Sequence, residues 1–324
     1  MDLSDFIQNE LDDSQYSSML YAAKDAEGHI WGVPHGVNPI AIAYNKAMFD
    51  EAQISYPTED WTFDQLFEIA EKLTRDTDGD GQTDIYGLLT DVRITQGWLP
   101  FITAAGGAPL DSSMTKANFD DPKTIEGLNK WYSAIHELGI TPPRAWLESF
   151  GGYWQAFVAG KAAMFIMQAS NATNIKQAAS DLDYDVAMMP TGWDGQKHVC
   201  YVANHWVVFS RATDDAKTAA LKWVKHYLGE ESQSIYAQTC PAGYPIQNKA
   251  LEIVASAELS PKNKSAFING MDQHGVSLFE NPTWNEWVTE TNKIMLDLYD
   301  GKIDPETAAK QTQEKVQSIL DSAQ

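Results

Sequence analysis

The segment Gly32-Val-Pro-His-Gly-Val-Asn-Pro-Ile-Ala-Ile-Ala-Tyr-Asn-Lys46 constrains the fold more than any other stretch of the chain. Gly and Pro cluster at its start, where a backbone must turn or approach something closely. The apolar run 40–44 follows. The pattern predicts a turn-rich loop feeding a short buried strand, which is stable only inside a larger sheet. Further strand signals at 162–167, 184–188 and 201–209 alternate with helix signals, which predicts an α/β architecture.

The helix signals are local and specific. Thr62-Phe-Asp-Gln65 is a capping box with Trp61 and Leu66 placed as a hydrophobic staple. Phe63, Leu66, Phe67, Ala70 and Leu73 then recur at helical spacing. Asp121-Pro122 opens a second helix, with Ile125, Leu128, Tyr132 and Ile135 on one face and Gly139 at its end. A third covers 213–228 and stops at Gly229. A C-terminal pair, 284–299 and 305–320, turns through Gly301 and is capped by Asp304. There is no internal repeat or long polar linker, so any passage between lobes runs through short structured segments.

A chain of 324 residues with 44% hydrophobic content can bury one large or two medium cores, and two lobes is the expected division. A formal charge of -22 excludes a nucleic-acid or anionic-membrane surface, which needs basic patches. No apolar run approaches the ~18–20 residues of a membrane span. Met1-Asp-Leu-Ser-Asp5 is acidic where a signal peptide begins basic and turns apolar, which predicts a cytoplasmic location for the chain as written. Cys200 and Cys240 are too few for a disulfide framework. They are open to pairing in an exported protein, but two separate buried thiols is the favoured reading.

The segments Phe157-Val-Ala-Gly-Lys-Ala-Ala-Met164, Met189-Pro-Thr-Gly192 and Gly243-Tyr-Pro245 follow the 32–46 segment in order, ahead of the helical C-terminus. Over nearly its whole length the chain resembles the extracellular solute-binding proteins of ABC importers, in the sugar-binding family that includes maltose-binding protein. The resemblance implies a two-lobed periplasmic-binding-protein-like fold of class II type. It puts the crossings between lobes near 44–46, 167–170 and 211–213, with 1–44 and 168–211 in the N-lobe and 45–167 and 212–324 in the C-lobe. Members carry roughly 75–90 further residues ahead of Leu3, holding a signal peptide and the opening βαβ units. The N-lobe is therefore expected to be incomplete and of low stability. In full length the resemblance implies a monomer in the periplasm or, as a lipoprotein, on the cell surface. It would bind a carbohydrate, an oligosaccharide first, and deliver it to ABC permease subunits, with no cofactor required and no nucleic acid.

Sugar rings stack their C–H faces on aromatic side chains and offer hydroxyls to amides, acids and imidazoles. The chain has eleven Trp and thirteen Tyr. Trp131 and Trp223 sit at helical spacing among apolar neighbours and are assigned to the core. The resemblance places Trp98, Tyr153, Trp154, Trp206, Trp284 and Trp287 near the cleft. It adds His35 and Asn38 on the first crossing loop, Gln168, Ser170 and Asn171 beyond the strand at the second, and Asn204 and His205 on the strand that re-enters the N-lobe. Ser170 stands where maltose-binding protein has a stacking Trp. Val202-Ala-Asn-His205 replaces the usual Gly-rich turn. The Ser170 departure puts a maltose-type subsite in question and argues for a different glycan.

Asp76-Thr-Asp-Gly-Asp-Gly-Gln-Thr-Asp84 spaces Asp76, Asp78, Asp80 and Asp84 as in the start of a calcium loop, with Gly81 at the sharp turn. Gly87 stands where a complete loop needs its bidentate Glu. A structural calcium and a plain Asp/Gly-rich turn are the two readings. An enzyme reading, a glycan hydrolase, would draw an acid pair from Asp91, Glu148 and Glu286, but their spacing does not support one. No catalytic motif is present, and the chain is expected to be non-enzymatic. A phosphorylated solute such as glycerol phosphate would need Arg or Lys in the cleft, and only Lys46 and Arg211 lie near the crossings.

Overall fold

The expected loop and short strand are one continuous element in the computed structural model, which describes residues 1–25, 27–239, 243–258 and 261–323. Strand β1 (Val33–Asn45) runs through both of its prolines. Each is placed where its missing N–H does no harm. Pro34 lies at a register shift against the neighbouring strand. The Pro39 carbonyl still accepts from the Ala169 N–H at 3.0 Å. Between them Val37 exchanges both backbone hydrogen bonds with Tyr244, at 2.9 and 2.6 Å. Proline read as loop because it cannot continue a central ladder; here bulge and partner geometry absorb it.

β1 organises the sheet. Its second half pairs antiparallel with β3 (Ala162–Gln168) and β4 (Tyr184–Ala187), and its first half pairs antiparallel with β5 (Val199–Trp206). β2 (Tyr86–Leu89) runs parallel to β3, and the two-residue β6 (Gly275–Val276) runs parallel to β5. The strand expected over 201–209 begins earlier and ends at Trp206, leaving Val207 and Phe209 exposed.

Two cores flank this sheet. The larger takes Ile40–Tyr44 of β1 with the helices that follow it and the C-terminal helix pair. The smaller takes Val33 and Val37 with Leu3, Ile7, Leu20, Tyr201 and Ala203. Val224, Leu228, Ile246 and Met271 also pack there. The sequence boundaries assign these four to the C-lobe; the structure puts them against N-terminal residues.

Helix ends follow their local chemistry. Thr62 and Gln65 form the reciprocal capping box, and Asp121 caps a helix that begins at Pro122. Asn45 ends β1 and caps the next helix by accepting from the Met48 N–H at 3.3 Å. Asp304 caps the last helix at 2.7 Å from the Thr307 nitrogen. Cys200 is a buried thiol, its pKa pushed up to about 12 by burial. Cys240 lies outside the described residues.

Trp131 is wholly buried, donates from Nε1 to Thr90 Oγ1 at 3.2 Å and packs 5.6 Å from the Tyr299 ring. Trp223, the other tryptophan assigned to the core, is 45% exposed. Its helix turns that face away from the smaller core, which Val224 and Leu228 fill. Trp131→Ala is expected to destabilise the larger core by about 3–5 kcal/mol. Urea unfolding measures it, and a loss under ~1 kcal/mol would mean the site collapses around the cavity.

Candidate functional site

A cavity of ≈ 620 Å³ opens where the segment after β2 meets the end of β3. Asp91, Val92 and Arg93 form one wall, and Arg144, Glu148 and the turn Gly151–Gly152 form another. Tyr153, Trp154, Gln155, Gln168, Asn171 and Asn174 also line the cavity. The volume lies in the range of small-molecule sites.

Every charged side chain lining the cavity has an opposite partner. Arg93 donates from Nε to Asp91 Oδ2 at 2.7 Å, and its guanidinium lies 5.3 Å from the Tyr153 ring centroid. Arg144 grips Asp300 through two nitrogens, at 3.0 and 3.2 Å, and reaches Glu148 at 2.6 Å. That grip holds the Asp300 carboxyl below its ordinary pKa. The cavity is polar without offering a free charge.

The uncharged groups form a relay. Gln168 Nε2 donates to Thr95 Oγ1 at 3.3 Å, and Thr95 donates to Gln96 Oε1 at 3.1 Å. Gln96 Nε2 then donates to the Tyr153 hydroxyl at 2.6 Å. Asn171 Oδ1 accepts from the Gln168 backbone N–H at 3.0 Å. Thr95 and Gln96 are buried, and sequence reasoning missed both. Their signal was two polar residues just ahead of the apolar run that starts at Trp98.

Four expected site residues, Tyr153, Trp154, Gln168 and Asn171, line this cavity. Asn38 and Ser170 bind each other instead. Asn38 Nδ2 donates to Ser170 Oγ and Ser170 N–H donates to Asn38 Oδ1, both at 2.9 Å, tying β1 to the corner after β3. Trp98 and Trp287, expected at the cleft, are core residues with no exposed surface. Their indoles donate inward to Asn292 at 3.1 Å and Asn281 at 3.2 Å, so neither offers a face to a ligand here. Trp284 is half-buried and donates to the Leu278 carbonyl at 3.0 Å.

His35, Asn204, His205 and Trp206 lie on the paired halves of β1 and β5, away from the cavity lining. There His35 packs 4.9 Å from Trp206, Trp206 meets Trp223 edge-on at 4.7 Å, and Trp223 stacks on Tyr227 at 5.3 Å. The Tyr227 hydroxyl donates to the His35 carbonyl at 2.6 Å. His205 Nε2 is buried with no hydrogen-bond partner among the described residues.

In the acidic loop, carboxylate oxygens of Asp76, Asp78 and Asp84 lie within 4.8 Å of one another. Asp80 is outside this group and accepts from the Gln82 backbone at 2.7 Å. Asp76 accepts from the Gly81 and Gly79 N–H groups at 2.8 and 2.7 Å, which holds its pKa low. Both glycines take positive φ, +84° and +80°.

A family model for bacterial extracellular solute-binding proteins matches residues 2–267. A binding protein of Brucella abortus is 23% identical over 302 residues, which span 91% of this chain and 69% of that protein. The maltotriose-binding protein of Pyrococcus abyssi is 26% identical over 220 residues, 66% of this chain and 43% of that protein. Among solved structures, an ABC substrate-binding protein from Listeria monocytogenes in complex with cycloalternan superposes with a TM-score of 0.83. It covers 100% of this chain and 80% of that one at 22% identity, a likeness of fold.

Burial, with repulsion from His35, pushes His205 down to about 4 from 6.5. Across that window the unfolded chain takes a proton that the folded chain refuses, so stability falls as pH drops from 6.5 towards 4. Urea melts across this range should show that slope, and His205→Gln should flatten it. An identical slope in the variant would assign the acid sensitivity to other groups, His35 and His274, both held low by burial, among them.

Proposed function

Because the chain belongs to the family of bacterial extracellular solute-binding proteins, we propose that it binds an uncharged carbohydrate in the ≈ 620 Å³ cavity and passes it to an ABC permease. The observation that carries this reading is the cavity wall itself. Gln168 and Tyr153 of that wall are joined by a relay of amides and hydroxyls through buried Thr95 and Gln96, and Trp154 lines the cavity with them. Such a surface suits a ligand with hydroxyl edges and apolar ring faces. Relatives named for maltotriose and cycloalternan favour an oligosaccharide over a single ring.

The family places the protein outside the cytoplasm. Within that, we assign it to the periplasm or, as a lipoprotein, to the cell surface, acting as a monomer. Binding shifts the population of two lobe arrangements only as far as the ligand contacts one better than the other. Gln168 and Asn171 flank the corner that Asn38 and Ser170 tie to β1, so a ligand held there touches the segment about which closure takes place.

A phosphorylated solute is the second reading, because the structure brings Arg93 and Arg144 into the cavity wall. Each is already matched by an acid, and separating either pair to bind phosphate would strand a carboxylate. The hydrolase reading meets the same pairing. Asp91 and Glu148 both face the cavity, but each accepts hydrogen bonds from its own arginine. A pair acting on a glycosidic bond needs one carboxyl carrying a proton.

A bound neutral oligosaccharide is expected to raise the unfolding midpoint, by ~2.7 kcal/mol of stabilisation at a hundredfold excess over Kd. Trp154→Ala is expected to abolish most of the shift, and the sugar should be recovered uncut. A shift with phosphorylated solutes alone would establish the second reading, and cleaved sugar the hydrolase.

We also propose that the acidic loop holds a structural calcium through Asp76, Asp78 and Asp84. Calcium should then raise the midpoint and Asp76→Asn should erase the response. A midpoint indifferent to calcium and chelator leaves the loop as a turn.

A further inference from the structure

We propose that Gln155 is a specificity-determining residue of the cavity, its Oε1 accepting a hydrogen bond from a ligand hydroxyl; the inference rests on the carbohydrate reading of that site. The side-chain amides of Gln168, which lines the cavity, and of buried Gln96 are hydrogen-bonded within the protein. Gln155 is the exception. Its Oε1 is buried and has no hydrogen-bond partner among the described residues, although the residue lines the cavity. A buried acceptor left unmade is destabilising, so a folded chain can retain one where something outside the chain supplies the donor.

The neighbouring backbone keeps that acceptor clear. Gly151 and Gly152 take φ of +83° and +132°, conformations that favour glycine. A Cβ at residue 152 would stand 3.0 Å from Gln155 Oε1 and press on the oxygen. A bare turn and an unpartnered acceptor on one wall form a socket for a donor. The nearest guanidinium groups are committed to Asp91, Glu148 and Asp300, so the donor the socket lacks is an uncharged one. A ring hydroxyl supplies it.

The test compares the unaltered chain with Gln155→Met and Gln155→Glu by calorimetric titration of maltotriose and cycloalternan. Gln155→Met keeps the length and removes the acceptor, and is expected to weaken binding roughly tenfold, one hydrogen bond's worth. Gln155→Glu keeps an acceptor and is expected to bind within about threefold of the unaltered chain. The ligand-free unfolding midpoint of Gln155→Met should be unchanged or higher, because no internal hydrogen bond is lost. Equal affinity for Gln155→Met, or a clearly lower ligand-free midpoint, overturns the inference while leaving the carbohydrate reading intact. No binding of either sugar by the unaltered chain overturns that reading, and the inference with it.

Discussion

The structure depends on β1 being paired on both sides and buried along nearly its whole length. Ile40, Ala41, Ile42 and Ala43 are wholly buried in the larger core, and Val33 and Val37 are wholly buried in the smaller. A strand period of two means that a slip of one residue would turn each apolar side chain to the opposite face. Pairing of Ile40 with Gln168 and of Val37 with Ala203 sets the register of both neighbours. That register delivers Gln168 to the cavity at the point where β3 leaves the sheet. The cavity's position is thus a consequence of hydrophobic burial far from its polar groups.

Charge is handled differently at the surface and at the site. The chain carries a formal charge of -22, and most of its acids are solvated. At the cavity each acid is balanced by an arginine, because an unmatched charge in a partly buried wall costs more than a matched one returns. The bidentate grip of Arg144 on Asp300 also fixes the helix turn that carries Glu148. The arginine pairs act as scaffolding for a neutral binding surface.

Local chemistry was legible in the sequence; long-range partnership was not. The capping box at Thr62, the Asp121-Pro122 start and the Asp304 cap depend on residues three or four apart, and the structure has them where the pattern puts them. Tyr153, Trp154 and Gln168 were reached through the family resemblance, not through any local pattern, and all three line the cavity. Trp98 and Trp287 look no different in sequence from a cleft tryptophan, and only their indole partners, Asn292 and Asn281, show which way they face. Arg144 was invisible as a site residue because Asp300 lies 156 positions away. The length of β1 was hidden by its prolines, which mark a turn unless a bulge and a carbonyl partner are already known.

The corner after β3 joins these threads. Asn38 and Ser170 satisfy each other across the join between β1 and the following helix, leaving neither free to bind solute. Next to them Asn171 and Gln168 turn the same short segment towards the cavity. A tryptophan in place of Ser170 would provide a stacking face but would take the acceptor from Asn38 Nδ2, while the residue 170 N–H would still donate to Asn38 Oδ1. Losing the acceptor of a largely buried amide offsets what one stacking contact supplies. With Ser170 the chain has a hydrogen-bonded corner where an aromatic surface could stand, and the cavity lining still includes Tyr153 and Trp154. On the carbohydrate reading proposed above, ring faces would meet those aromatic side chains and hydroxyls the amides.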